Sequence, residues 1–189
     1  MREQILTYLS QNVPSARVNH VLRVEQTAIE LADIYDIDPE EAATAGLMHD
    51  LAKCFQPQRL LHMARKEGLI LDEVLSANPH LLHADVSAIV ARDTFGVKDE
   101  QVLNAIANHT LGRPEMSLLS CIVFLADTLE PGRGDTASLQ ALRKISRESI
   151  DKAVYLTCDY TIKKLLGSPR LIHPRIIATR NNFLIKCKC

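Results

Sequence analysis

Seven histidines stand at positions 20, 49, 62, 80, 83, 109 and 173. Asp50 follows His49 directly, and Asp127 closes the apolar run Cys121-Ile122-Val123-Phe124-Leu125-Ala126. Imidazole nitrogens and carboxylate oxygens together make the mixed donor set that zinc, iron and manganese accept. His20, His49, Asp50, His83, His109 and Asp127 each fall on an expected helix or at its end, and as a set they could surround a metal centre. Taken singly, each has a plainer explanation. A histidine in an amphipathic helix, such as His20, is more often a hydrogen-bonded core residue. Histidines at helix ends, such as His83 and His109, can simply complement the helix dipole. Asp127 is harder to dismiss. A carboxylate beside so apolar a run is partly buried, and burying an ion costs several kcal/mol unless a cation or hydrogen bonds compensate.

Adjacent helix residues point about 100° apart, so His49 and Asp50 meet at one ion only if it lies between their directions. A carboxylate has two oxygens, and Asp50 can bridge two ions. Two metals about 3.5–4 Å apart would activate a bridging hydroxide and neutralise a phosphate. Lys53, three residues after Asp50, is expected close to the same helix face and can hold a phosphate oxygen. Arg133 is a second candidate, because a guanidinium grips phosphate at two points. Arg23 follows His20 by three residues and can pair with an acid instead. His62 and His80 have no helpful context and read as surface histidines, and His173 has no assignable role.

The elements that must position these groups are helical nearly throughout. Val18, Val21, Leu22, Ala28, Ile29, Ala32 and Tyr35 recur at the spacing of one helix face, which predicts a helix from Ser15 to Tyr35 capped by Ser15. Asp38-Pro39-Glu40-Glu41 is a strong helix start. The helix it opens is rich in small residues and is expected to be central, ending near His49 and Asp50. A helix from Pro57 to Glu67 is stopped by Gly68. A segment from Asn78-Pro79 reaches Phe95, Asp99 caps a helix through His109, and Ser117 starts one through Leu129 that Pro131 stops. Gly132 to Gly134 read as a loop. Two helices are expected between Ser138 and Leu166, broken near Ser146 to Ser149, and Pro174 begins a last one. No segment alternates apolar and polar residues over strand length, so one all-α domain is expected over residues 1–189.

The chain has 189 residues, 47% of them hydrophobic and 24% charged, without tryptophan. That is enough for one packed domain. No stretch approaches the ~18 apolar residues of a membrane span and the first ten residues resemble no signal peptide, which makes the cytoplasm the default location. Cys54, Cys121, Cys158, Cys187 and Cys189 are odd in number and mostly isolated, as reduced thiols in a cytosolic protein would be. Cys187 and Cys189 read as a mobile tail. From Tyr160 onward there are seven Lys and Arg and no acid, leaving 15 basic against 23 acidic groups in the first 159 residues. Such a basic C-terminal segment can be a solvated face, or it can attract a polyanion such as a nucleotide or RNA.

The order His20, His49-Asp50, His83, His109, Asp127 resembles the HD-domain phosphohydrolases, and the local context is closer still to their YqeK group, the symmetrical diadenosine tetraphosphate hydrolases. The matching stretches are His20-Val21-Leu22-Arg23-Val24, Gly46 to Lys53, Asn108-His109-Thr110 with Gly112-Arg113-Pro114, Leu125 to Arg133, and Leu171-Ile172-His173-Pro174-Arg175. They cover nearly the whole chain. The resemblance implies a helical HD bundle with two divalent metals, iron by preference, though the same donors accept manganese or zinc. It places one ion on His20, His49, Asp50 and Asp127 and the second on His83 and His109, with Asp50 as the bridge. It further implies that a metal-bound hydroxide cuts diadenosine tetraphosphate into two ADP, with Asp50 and Lys53 catalytic and Lys53 and Arg133 on the phosphates. The partner is then a small-molecule dinucleoside polyphosphate, with no membrane and no nucleic acid, and with room for a homodimer. Two features depart from the pattern. Many relatives have glycine after the third histidine, where this chain has Ala84-Asp85, and the Cys187-Lys188-Cys189 end has no counterpart. Two rival readings remain: an HD hydrolase of another nucleotide, either a nucleoside monophosphate or a guanosine tetraphosphate alarmone, and a module that binds nucleotide or RNA without catalysis.

Overall fold

One helix is apolar on every side, and it lies at the centre. In the computed structural model, which describes residues 1–188, this helix runs Leu118–Leu129. Residues Leu119 to Ala126 are all buried, as expected of a helix surrounded by others. Ser117 caps its start by accepting the Ser120 N–H.

In chain order the helices are α1 (Arg2–Asn12), α2 (Ser15–Ile34), α3 (Pro39–Met48), α4 (Pro57–Lys66), α5 (Glu73–Ala77), α6 (His83–Phe95), α7 (Glu100–Asn108), α8 (Leu118–Leu129), α9 (Ala137–Ser146), α10 (Ile150–Leu166) and α11 (Pro174–Lys186). Short 3-10 turns at Pro79–Leu82 and Pro131–Arg133 lead into α6 and out of α8. No strand occurs among the described residues, so the fold is all-α, and none of their helices is long and apolar enough to cross a membrane. The central α8 packs against α2, α3, α7, α9 and α10. The small-residue helix α3 lies against α1, α2, α6, α7 and α8, as its composition implied. Gly46 shows why small residues matter there. A Cβ at this position would lie 3.1 Å from the Cα of Glu25, so α2 and α3 meet backbone to backbone.

Several local expectations need correction. Ser15 does not cap α2. It is the first helical residue, and Pro14 occupies the cap position without a side-chain bond. Lys53 shares no helix face with Asp50, because α3 ends at Met48 and both residues sit in the turn beyond it. The turn still brings them close, with Lys53 N–H donating to Asp50 O at 3.0 Å. Helices α1 and α5 carry too weak a pattern to be read in advance. The first buries only Ile5 and Leu9, and the second has five residues.

The C-terminal helix is tied down by side chains the sequence left unassigned. His173 Nδ1 accepts the Arg175 N–H at 3.0 Å and so caps α11, while its Nε2 lies 2.9 Å from Asp72 Oδ2 at the start of α5. Arg175 reaches Asp85 at 3.5 Å, which gives that unusual residue a partner in the fold. Gly112, at φ +63, lies so near α11 that a Cβ would fall 2.5 Å from Thr179 Cγ2. Cys187 is exposed where α11 ends, and Cys189 lies outside the described residues.

Candidate metal centre

The four histidines of the set come from different elements, and three share one local device. His49 and His109 stand at the C-caps of α3 and α7, and His83 opens α6 after a 3-10 turn. Each donates its Nδ1–H to the carbonyl three residues earlier: His49 to Gly46 at 2.6 Å, His83 to His80 at 2.6 Å and His109 to Ile106 at 2.8 Å. A carbonyl has two lone pairs, so each of these can accept the imidazole N–H beside any backbone bond, and the ring is held fixed. A carbonyl only accepts, so Nδ1 carries a proton, and Nε2 is the nitrogen each ring turns toward the interior of the cluster. His20, inside α2, reaches the same state differently, with its Nδ1 2.9 Å from the Glu130 carboxylate.

The four Nε2 atoms converge in two facing pairs, His20 with His49 at 3.3 Å and His83 with His109 at 3.0 Å. Asp50 lies between the pairs. Its Oδ2 is 3.4 Å from His49 Nε2 and 3.8 Å from His20 Nε2, while its Oδ1 is 3.2 Å from His83 Nε2 and 3.7 Å from His109 Nε2. Two triplets therefore carry donor atoms all within 4.8 Å of one another: His20, His49 and Asp50, and Asp50, His83 and His109. Asp127 flanks the first triplet, its Oδ1 3.1 Å from His20 Nε2 and 3.8 Å from His49 Nε2.

The donor set fits divalent ions on its own chemistry. Facing lone pairs at hydrogen-bond distance repel unless a cation or proton lies between them. Asp50 is buried, and its Oδ1 has no hydrogen-bond partner among the described residues. Burial alone would raise the Asp50 pKa, but His49, His83 and Lys53 hold it well below the usual carboxylate range. Asp127 is likewise lowered, its burial outweighed by His20, His49, His109 and Arg133. Burial and the neighbouring histidines push His109 well below the usual imidazole range, so it is neutral. At His49, burial works downward but Asp50 outweighs it and raises the pKa. Ionised carboxylates facing a neutral imidazole make a cation-seeking cluster.

Basic side chains surround it. Lys53 Nζ lies 3.0 Å from His83 Nε2 and 3.8 Å from Asp50 Oδ1. Arg133 pairs with Asp127 and donates through Nε to the Asp127 carbonyl at 2.8 Å. Arg17 lies 2.9 Å from Asp50 Oδ2, and sequence reasoning missed it although it precedes His20 by three residues on α2. Glu130 was also missed, though it lies in a quoted motif. It pairs with Arg23 at 2.5 Å and accepts the Gly132 N–H in addition to holding His20. The Thr110 hydroxyl, 2.9 Å from His109 Nε2 and 3.2 Å from His83 Nε2, is a third omission. His62 and His80 have exposed side chains, and His80 takes part in the cluster only through the carbonyl that accepts from His83.

A cavity of about 560 Å³ opens over His109 and Asp127, and four cations line it: Lys53, Arg133, Lys164 and Arg170. Lys164 and Arg170 come from the basic C-terminal segment. Arg175 and Arg180 of the same segment are instead paired with Asp85 and Asp159.

The HD domain family model matches residues 17–132. Over 187 residues, 99% of each chain, the protein is 35% identical to the symmetrical bis(5'-nucleosyl)-tetraphosphatase of Halalkalibacterium halodurans. The protein of the same name from Staphylococcus aureus is 33% identical over 175 residues, covering 92% of this chain and 89% of that one. A crystal structure from Clostridium acetobutylicum, described as a predicted HD superfamily hydrolase involved in NAD metabolism, superposes with a TM-score of 0.94 at 38% identity and 98% coverage of both chains.

Proposed function

The chain belongs to the HD domain family, alongside its symmetrical bis(5'-nucleosyl)-tetraphosphatases, and from that premise we propose that it is a metal-dependent hydrolase that cuts diadenosine tetraphosphate at its central bridge into two ADP. The observation that carries the reading is the position of Asp50, one oxygen toward each histidine pair, behind His109 and Lys53 of a cavity that four cations line. His20, His49, Asp50 and Asp127 would hold one divalent ion, and Asp50, His83 and His109 a second. Iron is the proposed metal, and manganese or zinc would fit the same donors.

When bound, two such ions supply charge against phosphate and lower the pKa of a water to near neutrality. The side chains do the rest. Fixed Nδ1–H bonds to backbone carbonyls keep three imidazoles oriented, and Glu130 does the same for His20. Lys53 offers an ammonium beside Asp50, where it can neutralise the phosphate under attack. Arg133 holds Asp127 with one part of its guanidinium and has further N–H donors for a phosphate oxygen. The leaving group is ADP, a stable anion that needs little protonation near neutral pH, which suits a site with no dedicated acid beside the donor set.

The test uses purified protein, chelated and then reloaded with iron or manganese. Hydrolysis should vanish on chelation and return on reloading, and chromatography of early products should show ADP alone. Equimolar ATP and AMP would exclude cleavage at the central bridge, and full activity after verified metal removal would exclude the metal-dependent reading. Because metal binds the fold and not the unfolded chain, free ion at a hundred times its Kd should also stabilise the protein by about 2.7 kcal/mol.

A further inference from the structure

A second cavity, of about 340 Å³, lies beside the first. The two share four lining residues, Thr110, Thr161, Leu165 and Arg170, and nothing else is common to both walls. Thr110 ties this boundary to the metal centre, since its hydroxyl lies within 3.2 Å of both His83 Nε2 and His109 Nε2. Arg170 is exposed on the same boundary. The candidate centre therefore adjoins a space with two lobes.

The lobes differ in chemistry. The first is cationic, with Lys53, Arg133, Lys164 and Arg170. The second has Arg170 as its only Lys or Arg, and the rest of its wall mixes apolar residues such as Leu81, Pro169, Leu171 and Ile176 with the neutral polar Asn78, Thr110 and Thr161 and the imidazoles of His80 and His173. A cavity with apolar side chains, a few polar groups and imidazole rings suits a purine base. The Asn78 Nδ2 donates to the Val74 carbonyl at 3.4 Å, which leaves its second N–H and its oxygen to meet the N6 and N7 edge of adenine. A volume of this size falls in the range of small-molecule sites, about 300–1,000 Å³.

We propose that the second cavity seats the second nucleoside of a two-ended substrate, and that Arg170 grips the phosphate chain as it passes between the lobes. One nucleoside and most of the phosphate charge then occupy the first lobe, the central bridge lies over the donor set, and the far base enters the slot formed by Asn78, Leu81 and Leu171. The inference rests on the hydrolase reading above and assigns the part of the substrate which that reading leaves without a seat. It also accounts for the basic C-terminal segment, which brings Lys164 and Arg170 to the phosphates while the loop just after α10 walls the base slot.

The test compares two substrates on metal-loaded protein. Diadenosine tetraphosphate has two nucleosides. Adenosine 5'-tetraphosphate has the same four-phosphate chain and one nucleoside, and water cleaves its central bridge to ADP and pyrophosphate. Leu171 is 55% exposed, so L171W can fill the slot without disturbing the core, and N78A removes the amide. Each variant should lower the kcat/KM ratio of the two-ended over the one-ended substrate about tenfold, the scale of one lost pocket contact. The chain contains no other tryptophan, so the emission of L171W should also change when ADP is added. Should L171W fail to fold by circular dichroism, N78A still decides the ratio. An unchanged ratio in the folded variants overturns the proposal. Hydrolysis of neither substrate by the wild-type protein overturns the hydrolase reading itself, and the proposal with it.

Discussion

His83 and His109 face each other Nε2 to Nε2 at 3.0 Å, while the Nδ1 of each donates to a backbone carbonyl three residues earlier. Neither ring can turn away without giving up its hydrogen bond to that carbonyl. The pair is thus preorganised to share a cation, and the pair of His20 and His49 repeats the arrangement on the other side of Asp50.

Asp50→Ala should be the most damaging single change at this site, because one carboxylate oxygen faces each histidine pair. Losing metal-assisted stabilisation of the transition state should cost at least ~100-fold in kcat, and metal content should drop in the same variant. His62→Ala, at an exposed position, should be nearly silent. Equal activity for the two folded variants would remove Asp50 from its proposed role.

Glu130→Gln tests the support beneath His20. The carboxylate fixes which nitrogen of His20 carries the proton, and a carboxamide can present either a donor or an acceptor. Outer partners of metal-binding histidines typically contribute about 10–100-fold in affinity or activity, and a loss of that size in metal affinity is expected. Saturating metal should restore much of kcat. A variant with unaltered metal affinity would show that Glu130 serves Arg23 and the turn at Gly132 alone.

Gly46→Val probes the closeness of α2 and α3. The added side chain would press on the backbone of Glu25, whose N and Cα lie 3.3 and 3.1 Å from the position of its Cβ. Overpacking of this kind costs about 1–3 kcal/mol, to be read from denaturant unfolding. Because the same two helices bring His20 to His49, metal affinity should fall with stability. Wild-type stability in this variant would mean that α2 yields freely.

Acid should destabilise the metal-free protein through Asp50 and Asp127. Both have folded pKa values below those of the unfolded chain, against burial, because of the histidines and cations around them. The unfolded chain therefore takes up protons first as pH falls. The stabilisation is fully present above the ordinary Asp value of ~3.9 and is lost progressively below it. The melting temperature should drop from pH 5 to pH 3, more steeply in wild type than in Asp127→Asn. Parallel curves would show that the Asp127 charge contributes nothing to folding.

Much of this was legible in the sequence because the signals are local. Proline, glycine and acidic caps mark most helix boundaries, and the 3.6-residue period marks the buried faces. Asp38 and Asp99 cap the helices they were expected to cap, and Ser117 stands at the start of its helix as expected. The all-α fold and the chemistry of the donor set follow from such signals and from residue types. What the sequence could not determine depends on distance through space. His20 and Glu130 are 110 positions apart, yet their contact orients a ring at the centre of the cluster. The same holds for Asp85 with Arg175 and Asp72 with His173, and for the paths that bring Lys164 and Arg170 over the site. Even Lys53 reaches Asp50 through a turn, not the helix its spacing implied. Capping and periodicity act within one or two turns of chain. Which oxygen of Asp50 faces which histidine pair is decided only when α2, α3, α6 and α7 are packed together.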